Sequence, residues 1–95
     1  MSDNKEKNYM LVQDGCGACS FVAKVLKESI KQNKIILLDV NSKKGAELVE
    51  KHEIESVPTI INENNDFQQK CFIGKNVKSM FCENGTEKEL IKESE

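Results

Sequence analysis

The chain has 95 residues, 38% of them hydrophobic, 32% charged and 5% aromatic; its 14 cationic side chains, all Lys, face 16 acidic ones for a formal net charge of -2. A single domain of this length buries roughly two-thirds of its unfolded surface, enough for one core. The charge balance excludes the basic face of a nucleic-acid binder and the cationic tract of a membrane anchor, and the apolar runs fall far below spanning length.

Residues 1–7 are charged and run into no signal-type apolar region, so a cytoplasmic, reducing setting is expected. They read as a solvated tail ahead of one domain over residues 8–92. Tyr9-Met10-Leu11-Val12 is an apolar run of strand length, broken by the turn-forming cluster Asp14-Gly15-Cys16-Gly17. Over residues 18–31 the period becomes helical. Phe21, Val22, Val25, Leu26 and Ile30 share one face, with Lys24, Lys27, Glu28 and Lys31 largely opposite. Ile35-Ile36-Leu37-Leu38-Asp39-Val40 is a continuous aliphatic run, the mark of a strand covered on both sides.

Asn41-Ser42 offers a helix start, and Glu47 with Lys51 makes a favourable i, i+4 pair on the helix that follows. Residues 54–61 lead into a third strand with Pro58 at its first position, where a missing N–H is tolerated. A polar hairpin loop over residues 62–66 and a fourth strand over residues 69–73 come next. After Gly74, the residues Val77, Met80 and Phe81 give a short amphipathic helix stopped by Asn84-Gly85. Thr86 and Glu89 form a capping box for a last short helix carrying Leu90 and Ile91. The order is β-α-β-α-β-β-α with an extra terminal helix. It predicts an α/β fold with a four-stranded mixed sheet and helices on both faces. The first two strands are parallel through a right-handed crossover, and the third and fourth are antiparallel.

Four cysteines without an export signal do not read as a disulfide framework. Cys71 and Cys82 each sit among apolar neighbours and read as packing residues, spaced too widely for a zinc knuckle. Cys16 and Cys19 differ from them. Their C-x-x-C spacing at a strand–helix junction fits a structural pair, half of a metal site or a redox pair, and the junction favours the last. Residues i and i+3 on a first helical turn lie about 5–6 Å apart, within the reach of a disulfide. The first Cys faces unsatisfied backbone N–H groups and the positive end of the helix dipole. Both stabilise a thiolate, the attacking species in disulfide exchange. Cys19 lies one turn in, more shielded, placed to attack a mixed disulfide formed at Cys16. Gly17 and Ala18 are small and keep the approach open.

Gly15-Cys16-Gly17-Ala18-Cys19 after the first strand, with Ser56-Val57-Pro58-Thr59 before the third, resembles the thioredoxin superfamily; the size and tail resemble a glutaredoxin in particular. The resemblance covers residues 9–91. It implies the thioredoxin fold and a dithiol oxidoreductase with Cys16 and Cys19 as the catalytic pair. It implies a cis bond before Pro58, with the Val57 backbone pairing a bound substrate. Gly17, Ala18, Gly74 and Lys75 would complete the substrate-binding surface. Disulfide-containing proteins or glutathione mixed disulfides are the implied substrates, and glutathione or a thioredoxin-type reductase the electron donor, with no bound cofactor or metal and a monomeric state. The sequence also departs from the pattern. Asp14-Gly15 stand where thioredoxins carry Trp before the motif, and Ala18 replaces their Pro. The Cys-Pro-Tyr-Cys of dithiol glutaredoxins is absent, and Gln13 takes the place of a Lys. Gly74-Lys75-Asn76-Val77 replaces the Gly-Gly and acidic pair that hold glutathione, leaving Lys75 as the group there to meet a carboxylate.

Two further functions fit the same residues. One is an iron–sulfur or metal carrier binding through Cys16, alone or with Cys19, in a dimer. The other is a redox-inert module that offers the Val57 edge to a peptide by strand addition. Among the remaining residues, Asp39 is expected to point to solvent and His52 to lie on the surface, whereas Met80 and Phe81 are expected in the core. Asn84-Gly85-Thr86 matches a glycosylation sequon but reads as a helix stop.

Overall fold

The first two aliphatic runs become neighbouring strands in the computed structural model, which describes residues 6–65, 67–75 and 77–90. β1 (Lys7–Val12) pairs in parallel with β2 (Ile36–Asp39) and antiparallel with β3 (Thr59–Asn64). β4 (Phe67–Ile73), β5 (Ser79–Cys82) and β6 (Glu87–Glu89) follow as successive antiparallel neighbours, giving the order β2-β1-β3-β4-β5-β6. Side chains alternate across a strand, so the sheet divides its apolar residues between two faces. Met10 and Ile60 face one side with Val22, Leu26, Cys71 and Met80. Tyr9, Leu11 and Ile61 face the other side with Leu48. α1 (Gly17–Val25) and α2 (Lys27–Lys31) cover the first face, and α3 (Lys43–Lys51) covers the second. The α/β class and the helices on both faces are as expected.

The sheet is wider than expected, with six strands where the sequence predicted four. The helices predicted around Val77, Met80 and Phe81 and after Thr86 are instead the hairpin β5–β6, while Ile91 lies outside the described residues. Period two replaces period 3.6 here because Cys82 lies directly opposite Cys71, Phe81 opposite Phe72 and Met80 opposite Ile73. Met80 and Cys82 turn inward, and Phe81, expected in the core, turns out at 48% exposure. Gly85, with φ 90, makes the turn, and the Cys82 N–H donates to the Thr86 carbonyl at 2.8 Å.

Three smaller corrections follow from local chemistry. The helix expected over residues 18–31 is interrupted at Leu26 (φ -94, ψ 21), and α1 turns Cys19, Val22 and Leu26 inward, which by helical periodicity leaves Phe21 and Val25 exposed on its outer side. The polar segment expected as a loop continues β3 to Asn64. Buried Asn62 is satisfied there, its amide donating to Glu6 Oε2 at 2.8 Å and Asn8 Oδ1 at 2.7 Å. Those two bonds also draw Glu6 onto the sheet, and Lys7 already belongs to β1, although both fell in the expected tail.

Candidate active site

Gln13 to Cys16 form a turn closed by the Cys16 N–H donating to the Gln13 carbonyl at 3.1 Å. Gly15 sits at φ 81, a left-handed conformation that favours glycine. The turn delivers Cys16 as the N-cap of α1, in extended backbone (φ -88, ψ 108). The Cys16 Sγ accepts from the Cys19 N–H at 3.0 Å, as a Ser or Asp side chain would at this position. Cys16 is half-buried and Cys19 buried at 4% exposure. The two are joined as a disulfide with a Cα–Cα distance of 5.2 Å. Gly17 and Ala18 between them are exposed, and nothing lies within 4 Å of where a Gly17 Cβ would be.

Strand register brings the other predicted residues to the same end of the sheet. Leu11 pairs with Thr59, so Pro58 lies beside the end of β1 from which the Cys16 turn departs. The Val57–Pro58 bond is cis, and the Thr59 hydroxyl donates to the Ser56 carbonyl at 2.7 Å. Val57 is half-buried and shares a small cleft with Gln13, Val40, Val49, Ile54 and Ser56. Gln13 thus links the turn before Cys16 to the segment before Pro58. Ile60 pairs with Cys71, which places Gly74 at that end too, one strand further out. Neighbouring strands are about 4.8 Å apart, so β4 lies roughly 10 Å across from β1.

Gly74 and Lys75 line a second depression with Ser79, Phe81 and Glu87. It shares no lining residue with the Gln13–Val57 cleft. Register therefore sets Pro58 and Gly74 at the end of the sheet from which the Cys16 turn departs, with Gln13 and Val57 lining one cleft there and Gly74 and Lys75 another. Among the described residues no three His, Cys, Asp or Glu side chains come together as metal ligands would. No helix among them is long and apolar enough to cross a membrane.

Sequence reasoning passed over two features. Gln13 was noted as a departure from a family pattern, yet its place three residues before Cys16 puts it in the cleft with Val57. Cys71 and Cys82 are buried, as packing residues are, but they are also joined across β4 and β5, with Cα atoms 3.9 Å apart. Their signal was symmetry: each lies at a comparable distance from the turn after Gly74, which pairs them once residues 79–82 are a strand.

A search among curated proteins returns no match. A family model, Thioredoxin, matches residues 4–86, a span that contains Cys16, Cys19, Val57, Pro58, Gly74 and Lys75. A domain of this kind with a C-x-x-C pair at the start of its first helix carries the equipment of a thiol–disulfide oxidoreductase. With a match over most of its length and the Cys16–Cys19 pair in that position, the chain belongs to the thioredoxin family.

Proposed function

We propose that the protein reduces disulfides in protein substrates, with Cys16 as the attacking thiol and Cys19 as the resolving one. The observation that carries this reading is the asymmetry of the pair. Cys16 is half-exposed at the α1 N-terminus with a backbone N–H aimed at its sulfur, whereas Cys19 is buried one turn inside. A thiolate at Cys16 is stabilised by that N–H and by the helix dipole. It attacks one sulfur of the substrate disulfide, and the other sulfur leaves as a thiolate and takes up a proton. Cys19 then loses its proton and attacks the Cys16 sulfur, releasing the second substrate thiol and closing the Cys16–Cys19 disulfide. That oxidised pair is the state described above.

Two electrons from a dithiol reductase of the thioredoxin-reductase type return the pair to thiols. Gln13 and Lys75, where glutaredoxins place glutathione contacts, support a protein reductase over glutathione as donor. The cleft beside Val57 supports an extended protein segment as substrate, lying along the residues before Pro58.

The test uses single variants. Cys19→Ser should accumulate a covalent adduct with a disulfide-bearing protein, released by dithiothreitol, and Cys16→Ser should neither react nor turn over. Wild-type turnover by Cys19→Ser, or any turnover by Cys16→Ser, would remove the assigned roles. Parallel assays with glutathione plus its reductase and with NADPH plus thioredoxin reductase identify the donor; a faster rate with glutathione would move the protein to the glutaredoxin branch.

A further inference from the structure

α3 covers the sheet face that carries Tyr9, Leu11 and Ile61, and that face continues past the helix onto β4, β5 and β6. Lys70 lies opposite Ile61, so alternation puts Lys70 and Phe72 of β4 on this face. Pairing then adds Phe81 opposite Phe72, and Glu87 opposite Phe81. Phe72 and Phe81 stand 50% and 48% exposed, side by side across two strands. Paired and rimmed by charge, they differ from the singly scattered apolar side chains of an ordinary surface.

The charges around the two rings have a direction. On the β4 side Lys70 reaches over Phe72, its Nζ 5.7 Å from the ring centroid. On the other side Glu87 and Glu89 of β6 share the face, with Glu83 just past the end of β5. Farther along the β4 side Lys51 and Glu63 offset each other, both bonded to Gln68, at 2.8 and 3.1 Å. A patch with a cation at one side, anions at the other and two rings between them is complementary to itself after half a turn. Its relief agrees. Phe81 lies across Gly74, with Cε2 only 3.1 Å from where a Cβ would be, and a depression lined by Gly74, Lys75, Ser79 and Glu87 opens beside the ring.

We propose that the Phe72–Phe81 face is the interface of a symmetric homodimer, with the twofold axis parallel to β4 and β5 and running between them. Rotation about that axis sets Phe72 of each copy into the depression beside Phe81 of the partner subunit. It also brings Lys70 to Glu87 of the partner subunit, and each contact occurs twice. Stacked sheets lie about 10 Å apart, a gap that a Lys and a Glu side chain together span. Half-exposed rings at the centre and charges at the rim make a small interface, so association is weak and grows with concentration. The dimer departs from the monomeric state that the family resemblance implies. It does not rest on the activity proposed for Cys16 and Cys19, and its test reads mass alone.

Sedimentation equilibrium of the oxidised protein over about 5–500 µM should show the mass rising from one chain toward two. Phe81→Asp should raise the dissociation constant at least about tenfold, as loss of a central aromatic contact does. Phe21→Asp, at an exposed aromatic on α1, should leave it unchanged. Charge reversal gives the sharpest arm. Lys70→Glu alone and Glu87→Lys alone each set like charges against one another and should be monomeric. Mixed in equal amounts, the two should dimerise, because every contact in the mixed pair again joins a cation to an anion. Circular dichroism establishes that each variant is folded; if a charge variant is not, the Phe81→Asp and Phe21→Asp comparison decides. A single-chain mass for the wild type at every concentration would overturn the proposal and leave the face to another protein or to residues 91–95. So would a dimer that Phe81→Asp leaves intact or Phe21→Asp disrupts, a dimer that persists on a non-reducing denaturing gel, or folded charge variants that stay monomeric when mixed.

Discussion

Gly45 gives the most discriminating substitution in the molecule, because two physical arguments predict opposite signs for it. It is the third residue of α3, and replacing a helical Gly by Ala favours the helix by up to about 1 kcal/mol. Here, however, the N-terminus of α3 lies against the end of β2. A Cβ on Gly45 would fall onto the Asp39 carbonyl oxygen, 2.8 Å from the carbonyl carbon and 2.9 Å from Ser42 Oγ. The nearest obstacle is backbone and cannot rotate away. α3 must back off, and the move disturbs the Ser42 cap, which accepts from the Gly45 N–H at 3.0 Å and donates to the Asp39 carbonyl at 2.6 Å. Overpacking costs about 1–3 kcal/mol and a lost cap about 1 kcal/mol. After the helix gain is subtracted, Gly45→Ala should destabilise the domain by about 2 kcal/mol. For a domain of this size that lowers the melting temperature by roughly 8–16 °C. Urea titration should show a lower midpoint for Gly45→Ala, while Glu47→Ala, at an exposed position on the same helix, stays near wild type. A Gly45→Ala midpoint equal to or above wild type would refute the close approach of α3 to β2.

In the reduced protein at mildly acid pH, limiting iodoacetamide should alkylate Cys16 before the buried Cys19, as peptide mapping would show; labelling of Cys19 first would reverse the assigned roles. The carboxyl of Glu6 is held below its ordinary value of 4.5, chiefly by the hydrogen bond from Lys88 Nζ and further by the Asn62 amide, against the raising effect of burial. With a folded value below the unfolded one, this contact contributes its full stability above the ordinary carboxylate range and loses it as pH falls through the lower folded value. Glu6→Gln should therefore flatten the acid limb of the stability–pH curve and lower stability at neutral pH. An acid limb of wild-type slope in that variant would contradict the linkage.

Where a residue's neighbours in the chain decide its structure, the sequence was easy to read. The aliphatic runs of β1 and β2, the Ser42 cap of α3 and the C-x-x-C before α1 each announce themselves within a few residues. The Val57–Pro58 segment was legible through resemblance. The failures share a cause, which is that the deciding partner lies far away in sequence. Asn62 looks like a loop residue until Glu6 and Asn8, on the opposite side of the β1–β3 ladder, satisfy its amide. Phe21 and Val25 look like core residues until Val22 and Leu26, packed on Met10 and Ile60, turn the other side of α1 to the sheet. The strand state of residues 79–82 comes with their pairing to β4, which no local pattern contains. The tight contact at Gly45 exists only once α3 is folded onto β2.

An open sheet ends in two rims of unpaired N–H and C=O groups, each a template on which a stray extended chain could grow. Here both rims are short: β2 has four residues and ends in Asp39, and β6 has three, Glu87, Lys88 and Glu89. An incoming strand would find few bonds at either rim, and at β6 it would have to lie beside two carboxylates with a lysine between them. Growth by rim-to-rim stacking is thereby discouraged at little expense to the fold. The extended segment proposed above as substrate would lie instead along the residues before Pro58, at an interior strand and away from both rims.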